Sequence, residues 1–247
     1  MTAYHGGKQR IGKKLAEIIV NESIDISEEY DFKIKGYCEP FCGMLGVYQH
    51  IPTLFDEEHI KLKYKAGDTN KSVIMMWKAV KKGWKPQLKI TSEKEFKSLK
   101  ITGKSSAKKG FIGHHYGYMA KYFQPFKTST LDKLKKTIHK ISEIGKKINK
   151  ANVIFKDGIY TQYSNMKGYI IYCDPPYEKQ AHYYNDSGEH MPKFDHKKFW
   201  EWCRKMSHSN IVFVSEYKAP KDFIKIWEGD ARTTGPDMKE KLYVIYS

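Results

Sequence analysis

The residues best suited to chemistry are Asp174-Pro175-Pro176-Tyr177. Proline fixes its own φ and carries no N–H, so two in succession make a stiff turn in which the Pro175 carbonyl can face outward with no neighbouring donor competing for it. The Asp174 carboxylate stands beside it as a second acceptor. An aromatic amine is a poor nucleophile because its lone pair is spread into the ring. Two fixed acceptors that take both of its hydrogens push the nitrogen towards tetrahedral geometry. As positive charge builds on that nitrogen during attack on a methyl group, Asp174 stabilises it more than it stabilises the ground state. Tyr177 offers a flat surface for the ring that bears the amine. A base inside a duplex has to be rotated out at a cost of a few kcal/mol, and stacking on an aromatic side chain offsets about 1–3 kcal/mol of it.

Such a turn works only if the chain around it holds it still. It directly follows Tyr169-Ile170-Ile171-Tyr172-Cys173, an apolar run without alternation, as expected of a central strand covered on both faces. Whatever follows the carboxyl end of such a strand sits at the ligand edge of the sheet. Upstream, Ile11, Leu15, Ile18 and Ile19 fall at helical spacing over residues 10–20, behind the glycine turn Gly6-Gly7. A short strand at 34–38 runs into the glycine-bearing turn Glu39 to Gly46, which is expected to open a helix through Gln49. A second strand at 62–66 ends in Gly67-Asp68-Thr69-Asn70 and hands over to a helix through Val80. Two strand-turn-helix units in succession predict a doubly wound, mostly parallel α/β sheet. Further strands are expected at 153–155, 211–214 and 242–246, with a helix from Asp195 to about Met206.

Charge singles out the middle of the chain. Lysine and arginine number 44 against 28 acids, a net +16, and all the basic residues but Arg10, Arg204 and Arg232 are lysine. From Trp84 to Lys150 there are 17 lysines and only Glu93, Glu95, Asp132 and Glu143 as acids, an excess of 13 that leaves +3 for the rest of the chain. A compositional bias would spread the charge, whereas a localised basic patch is the footprint of a polyanionic partner. Residues 84–130 show no sustained period and are expected to form a small basic lobe inserted at the sheet edge. Leu131, Leu134, Ile138, Ile141 and Ile148 then mark one face of a helix whose lysines fit a solvated surface and a phosphate-contacting one equally well.

Within the lobe, His114, His115, Tyr116, Tyr118, Tyr122 and Phe123 are interleaved with Lys108, Lys109 and Lys121, a mixture suited to backbone contact and base stacking. Core packing accounts equally well for half of those rings. Arginine paired with guanine is the commonest specific base contact. With no arginine between 84 and 150, recognition there is expected to use Lys, Asn, Gln, His or DNA shape. Tyr183, Tyr184 and Asn185, close behind the proline turn, are candidates to close over a base, with an exposed loop a nearly equal reading.

Cys38, Cys42, Cys173 and Cys203 form no CxxC pair and have no histidine at metal-ligand spacing, so neither a metal site nor a disulfide framework is expected. No segment approaches the roughly 18 apolar residues of a membrane span, and the first ten residues lack the apolar core of a secretory signal. A soluble, unsecreted, intracellular protein, monomeric or homodimeric, is the expectation.

The ordered set of motifs resembles the Dam-like, adenine-specific DNA methyltransferases. That resemblance implies a Rossmann-like methyltransferase fold, with residues 1–83 and 151–247 as the catalytic domain and 84–150 as an inserted target-recognition lobe. It also implies double-stranded DNA as partner, S-adenosylmethionine as methyl donor with S-adenosylhomocysteine as product, and transfer to N6 of a flipped-out adenine. Tyr4-His5-Gly6-Gly7-Lys8 looks like the family's N-terminal element, which implies that Tyr4 and Lys8 line the donor pocket. Glu39-Pro40-Phe41-Cys42-Gly43 looks like the first donor loop, placing Glu39, Phe41 and Gly43 there. Asp68, with Asn70, matches the acidic end of the second strand, where the donor ribose hydroxyls need an acceptor. Residues Phe155 to Tyr160 are similar to the element near the donor adenine, with Asp157 to accept from its amino group. Asp174 is implied to border both donor and amine. Ser215-Glu216-Tyr217 and Glu240-Lys241-Leu242 resemble further family segments, to which only a pocket-shaping role is assigned. One departure stands out: the family usually has Gly-x-Gly in the first loop, whereas Gly43-Met44-Leu45-Gly46 puts the second glycine one residue late. Leu45 must then fit where backbone normally approaches the donor. Two alternatives stand beside this reading. Amino methylation of cytosine is disfavoured by Asp rather than Ser at position 174, by resemblance. A DNA-binding subunit that has lost catalysis draws support from the altered loop and is opposed by Asp174 and Lys8.

Overall fold

A computed structural model describes residues 7–178, 193–230 and 239–247. Seven strands form one sheet: β1 (Gly36–Glu39), β2 (Lys63–Asp68), β3 (Ile154–Asp157), β4 (Tyr169–Cys173), β5 (Ile211–Ser215), β6 (Ile224–Asp230) and β7 (Lys239–Ile245). Their spatial order is β3-β2-β1-β4-β5-β7-β6. The first five in that order are parallel, and β7 pairs antiparallel with both β5 and β6. This is the expected Rossmann-like α/β fold, doubly wound and mostly parallel. Strand order reverses between β1 and β4, the crevice where such sheets take ligands.

β4 is buried along its whole length. Its residues alternate between two cores: Ile170 and Tyr172 belong to one apolar cluster, Ile171 and Cys173 to the other. The first cluster is covered by α1 (Gly12–Glu29), α2 (Ile51–Glu57), α3 (Lys71–Lys81) and α6 (Leu131–Lys150), the second by α7 (His196–Ser207). Asn70 and Asp195 begin α3 and α7 by accepting from the backbone N–H groups of Val73 and Lys198, which satisfies donors that a helix start leaves unpaired.

Three expectations need correction. The helix expected through Gln49 is a run of turns, and α2 begins only at Ile51. Gly43 and Leu45 take φ of 43° and 56° there, which no continuing right-handed helix tolerates. Residues 84–130 are more ordered than their pattern suggested, containing α4 (Glu93–Ile101) and α5 (Ala107–His115). Both are short helices capped by Ser92 and Ser106, and Lys109 through His114 are all buried, which erases any polar-apolar period. The edge strand β6 was not anticipated, because most of its residues are exposed or half-buried and a bulge interrupts it at Lys225 to Trp227.

Residues 84–150 share the first core with the sheet. Phe96, Phe111, Ile112, Tyr116, Leu134, Ile141, Ile144 and Ile148 all belong to it, and α6 crosses α3 where Gly145 lies against Val80.

The first loop is fixed from two sides. The Gly43 N–H donates to Asp68 Oδ2 at 3.0 Å and the Gly43 carbonyl accepts from Trp77 Nε1 at 2.9 Å. On its other side, Gln9 Nε2 donates to the Met44 carbonyl at 3.0 Å. A Cβ at Gly12 would meet the Gly46 carbonyl oxygen at 2.2 Å. Gly12→Ala should therefore lower the urea midpoint of unfolding. Overpacking against backbone costs about 1–3 kcal/mol, more than the roughly 1 kcal/mol that alanine gains over glycine in a helix interior, and a raised midpoint would show that the contact is absent.

Candidate active site

The parallel strands bring carboxylates to one edge. Glu39 ends β1, Asp68 ends β2, Asp157 ends β3 and Asp174 follows β4, with Asp68 and Asp157 in register on adjacent strands. Each acid has different partners. Asp68 accepts from the backbone N–H of Asn70 through Oδ1 at 2.8 Å and from that of Gly43 through Oδ2. Burial raises its carboxyl above the ordinary range and those amides oppose the rise, so it ties the first loop to the start of α3. Glu39 is buried and accepts from the Tyr37 hydroxyl at 2.7 Å. Burial, with repulsion from Asp174, pushes its carboxyl far up against the lowering effect of that hydrogen bond. Asp157 is half-exposed, with Lys78 Nζ at 3.8 Å.

Asp174 faces the crevice. Its Oδ1 accepts from Lys8 Nζ at 2.7 Å. Among the described residues, no other hydrogen bond or ion pair engages the carboxylate and no backbone N–H donates to the Pro175 carbonyl. Among the described residues, neither Asp174 Oδ2 nor the Pro175 carbonyl oxygen that follows it meets a donor. Lys8 itself is buried and lies 3.4 Å from Glu240 Oε1 and 4.7 Å from the centre of the Tyr177 ring. Burial alone would depress its ammonium, but Asp174 and Glu240 outweigh that and hold its pKa above the ordinary value. Tyr177 is also buried, with its hydroxyl donating to Glu240 Oε1 and its ring edge-on to Tyr217 at 4.8 Å.

Around the end of β1, Phe41 stacks on Tyr160 at 5.6 Å and meets Phe194 and Phe199 at 5.9 and 5.8 Å. These rings form an aromatic wall, of which the motifs had included Phe41 and Tyr160 but not Phe194 or Phe199. Leu45 resolves the altered glycine spacing. It takes the left-handed φ that glycine would adopt freely, at a cost of roughly 1–2 kcal/mol, and turns its side chain fully into the core. Gly46 then serves a different contact, since a Cβ there would lie 3.1 Å from the backbone nitrogen of Lys8.

The residues expected to meet DNA divide by burial. Lys109 is 1% exposed and donates to the Thr102 carbonyl at 2.8 Å, so its ammonium braces the lobe and is out of reach of a phosphate. His114 and Tyr116 are likewise interior, bonded to the Ala120 carbonyl and the Thr91 N–H. His115 stacks on Phe111 and bonds to Ser129. Burial pushes its imidazole down to about 4, so it is neutral at physiological pH. Lys108 is exposed and paired with Glu95 at 2.7 Å, and Lys121 is half-buried. Tyr118 and Met119 are 55% and 49% exposed on a bend where Met119 and Ala120 both take positive φ. Tyr4, Tyr183, Tyr184 and Asn185 lie outside the described residues.

A doubly wound sheet that presents an Asp-Pro-Pro-Tyr turn at the end of its central strand, beside a buried lysine, defines a Rossmann-like methyltransferase. The family model of the D12 class N6 adenine-specific DNA methyltransferases matches residues 104–242, more than half of the chain, and the chain belongs to that family. No curated protein matches it. Among solved structures, the rRNA methyltransferase aviRa from Streptomyces viridochromogenes is similar at 8% identity and a TM-score of 0.40, over 94% of this chain and 84% of that one. No group of three potential metal ligands occurs among the described residues, and no helix among them is long and apolar enough to cross a membrane.

Motif reading gave Glu216 no chemical role, yet its carboxyl belongs to this cluster. It is 2% exposed at the end of β5, accepts from the Tyr217 N–H at 2.8 Å, and has Oε2 buried without a partner. Burial is the main cause that lifts it from 4.5 to about 7, with Asp174 and Glu240 adding to the rise. An acid whose folded pKa is raised favours the fold most below its ordinary pKa, and that contribution is lost as pH climbs through the folded value. Glu216→Gln should therefore gain thermal stability relative to wild type between pH 5 and 8. A difference that does not change with pH would contradict the buried, ionising carboxyl.

Proposed function

We propose that this protein transfers a methyl group from S-adenosylmethionine to N6 of an adenine flipped out of double-stranded DNA, releasing S-adenosylhomocysteine. The observation that carries the reading is a pair of acceptors, Asp174 Oδ2 and Pro175 O, that no donor engages among the described residues, at the topological switch point of the sheet. They match the two hydrogens of an amine. Asp174 keeps its charge partner Lys8 on the other oxygen, so one carboxylate is both fixed and available.

The donor supplies a methyl on a sulfonium. The residues suited to hold it are Glu39, Phe41, Gly43, Asp68 and Asp157, at or just after the ends of β1, β2 and β3, together with Lys8 beside Asp174. The donor set fits: Phe41 and Tyr160 give flat surfaces for a purine, and the carboxylates give acceptors for hydroxyls and amines. Tyr177 has its hydroxyl fixed by Glu240, so its ring is held in one orientation beside the turn.

Residues 84–150 act as the target-recognition lobe. Their four acids are all paired with lysines, in Glu93 with Lys97, Glu95 with Lys108, Asp132 with Lys136 and Glu143 with Lys146; apart from the buried Lys109 and Lys150, which pairs with Asp56, the lysine excess is left for phosphates. Lys108, Lys121 and Tyr118 are the members of the expected set that a duplex can reach, with Tyr118 suited to insertion or stacking.

Asp174→Ala should reduce methyl transfer on the order of 10²- to 10³-fold, the loss seen when one preorganised transition-state partner is removed, while DNA affinity stays near wild type. Retained turnover would overturn the mechanism. DNA binding should weaken steeply with salt, log affinity against log salt falling by about 0.9 per phosphate contact, and a flat response would remove the lobe from the interface.

A further inference from the structure

Glu240 is the second residue of β7, where the strand's inward-facing positions are Glu240, Leu242 and Val244. The flanking Lys239 is exposed and Lys241 half-buried, so the alternation of the strand turns a carboxylate, and not a lysine, into the interior. Taking a carboxylate out of water costs several kcal/mol, and replacing a buried ion pair with apolar residues is often neutral or stabilising. Packing alone would be served by another leucine or valine. The fold therefore gives no reason for an acid at 240, and its contacts do. One oxygen, Oε1, accepts from the Tyr177 hydroxyl and lies 3.4 Å from Lys8 Nζ, the same ammonium that meets Asp174 Oδ1 at 2.7 Å.

We infer that Glu240 is a positioning residue for methyl transfer: it holds Lys8 and Tyr177 from behind, so that Lys8 engages Asp174 through Oδ1 alone and Oδ2 stays open for the incoming amine. The inference rests on the reading of Asp174 as an amine acceptor. An ammonium without a second carboxylate has every reason to chelate both oxygens of Asp174 and compete with the substrate for Oδ2. The tether to the Tyr177 hydroxyl fixes the ring on the residue that ends the proline turn.

Glu240→Gln tests this, because it keeps shape and an acceptor for the Tyr177 hydroxyl and removes only the charge. Single-turnover methyl transfer to an adenine-containing duplex should fall about 10- to 100-fold, the scale of a small misplacement of reacting groups. Donor affinity, DNA affinity and thermal midpoint should stay near wild type. Lys8→Met combined with Glu240→Gln should be no slower than Lys8→Met alone, since the two act as a unit. Glu240→Asp keeps the charge and withdraws it by one methylene, so it should slow transfer as well and provides a second variant should the glutamine form fail to fold. Wild-type turnover in either variant overturns the inference. So does a slow variant whose melting temperature and donor affinity fall together, because that is the mark of a structural role. Asp174→Ala in the same assay separates the two levels. If it retains turnover, the amine-acceptor reading falls; if it is inactive and the Glu240 variants are not, only the role of Glu240 falls.

Discussion

A lysine ammonium taken out of water has to find carboxylates, and Lys8 meets Asp174 and Glu240. Both acids lie in the last third of the chain, far in sequence from Lys8, yet one buried cation draws the three segments to the same point. Lys8 is thereby pinned against the first loop, where Gly46 admits its backbone, and β7 is joined to the proline turn through Tyr177. A buried charge left alone is far more costly than a pair, and Lys8 is held by Asp174 at 2.7 Å with Glu240 behind it at 3.4 Å. The open oxygen of Asp174 is a by-product of this arrangement: the lysine is satisfied on one side of the carboxylate, and the other side faces the crevice.

The sheet explains why so many acids share this edge. Parallel strands β1 to β4 all end on the same side, and the reversal of order between β1 and β4 opens a crevice flanked by Glu39 and Asp174. Acids crowded together would repel, so each is tied differently: Asp68 by backbone amides, Glu39 by a tyrosine hydroxyl, Asp174 by a lysine. The first loop depends on the same economy. Asp68 holds Gly43 from one side and Gln9 holds Met44 from the other, which leaves the loop stiff enough to force Leu45 into a left-handed conformation.

What the sequence made legible was whatever local chemistry imposes. The β4 run and its proline turn were readable because a doubly buried strand and two consecutive prolines have few other uses. The helices α3 and α7 announced themselves through Asn70 and Asp195. The role of Glu240 was not readable, since its partners lie at positions 8 and 177 and only the folded sheet brings them together. Lys109 misled because lysine ordinarily marks a surface, and its interior hydrogen bond to Thr102 depends on how α5 packs. The short helices of the lobe hid for a related reason: buried on all sides over residues 109–114, α5 shows no polar face to give it a period. Leu45 shows the opposite case, where a motif departs by one residue and the backbone absorbs the change.

The most direct test is a crystal structure of the protein with S-adenosylhomocysteine and a duplex containing its target adenine. The account predicts the adenine outside the helix, with N6 within hydrogen-bond distance of both Asp174 Oδ2 and the Pro175 carbonyl while Lys8 remains on Oδ1. An extruded base whose amine points elsewhere, or a lysine that has moved across to occupy Oδ2 in the bound state, would contradict it.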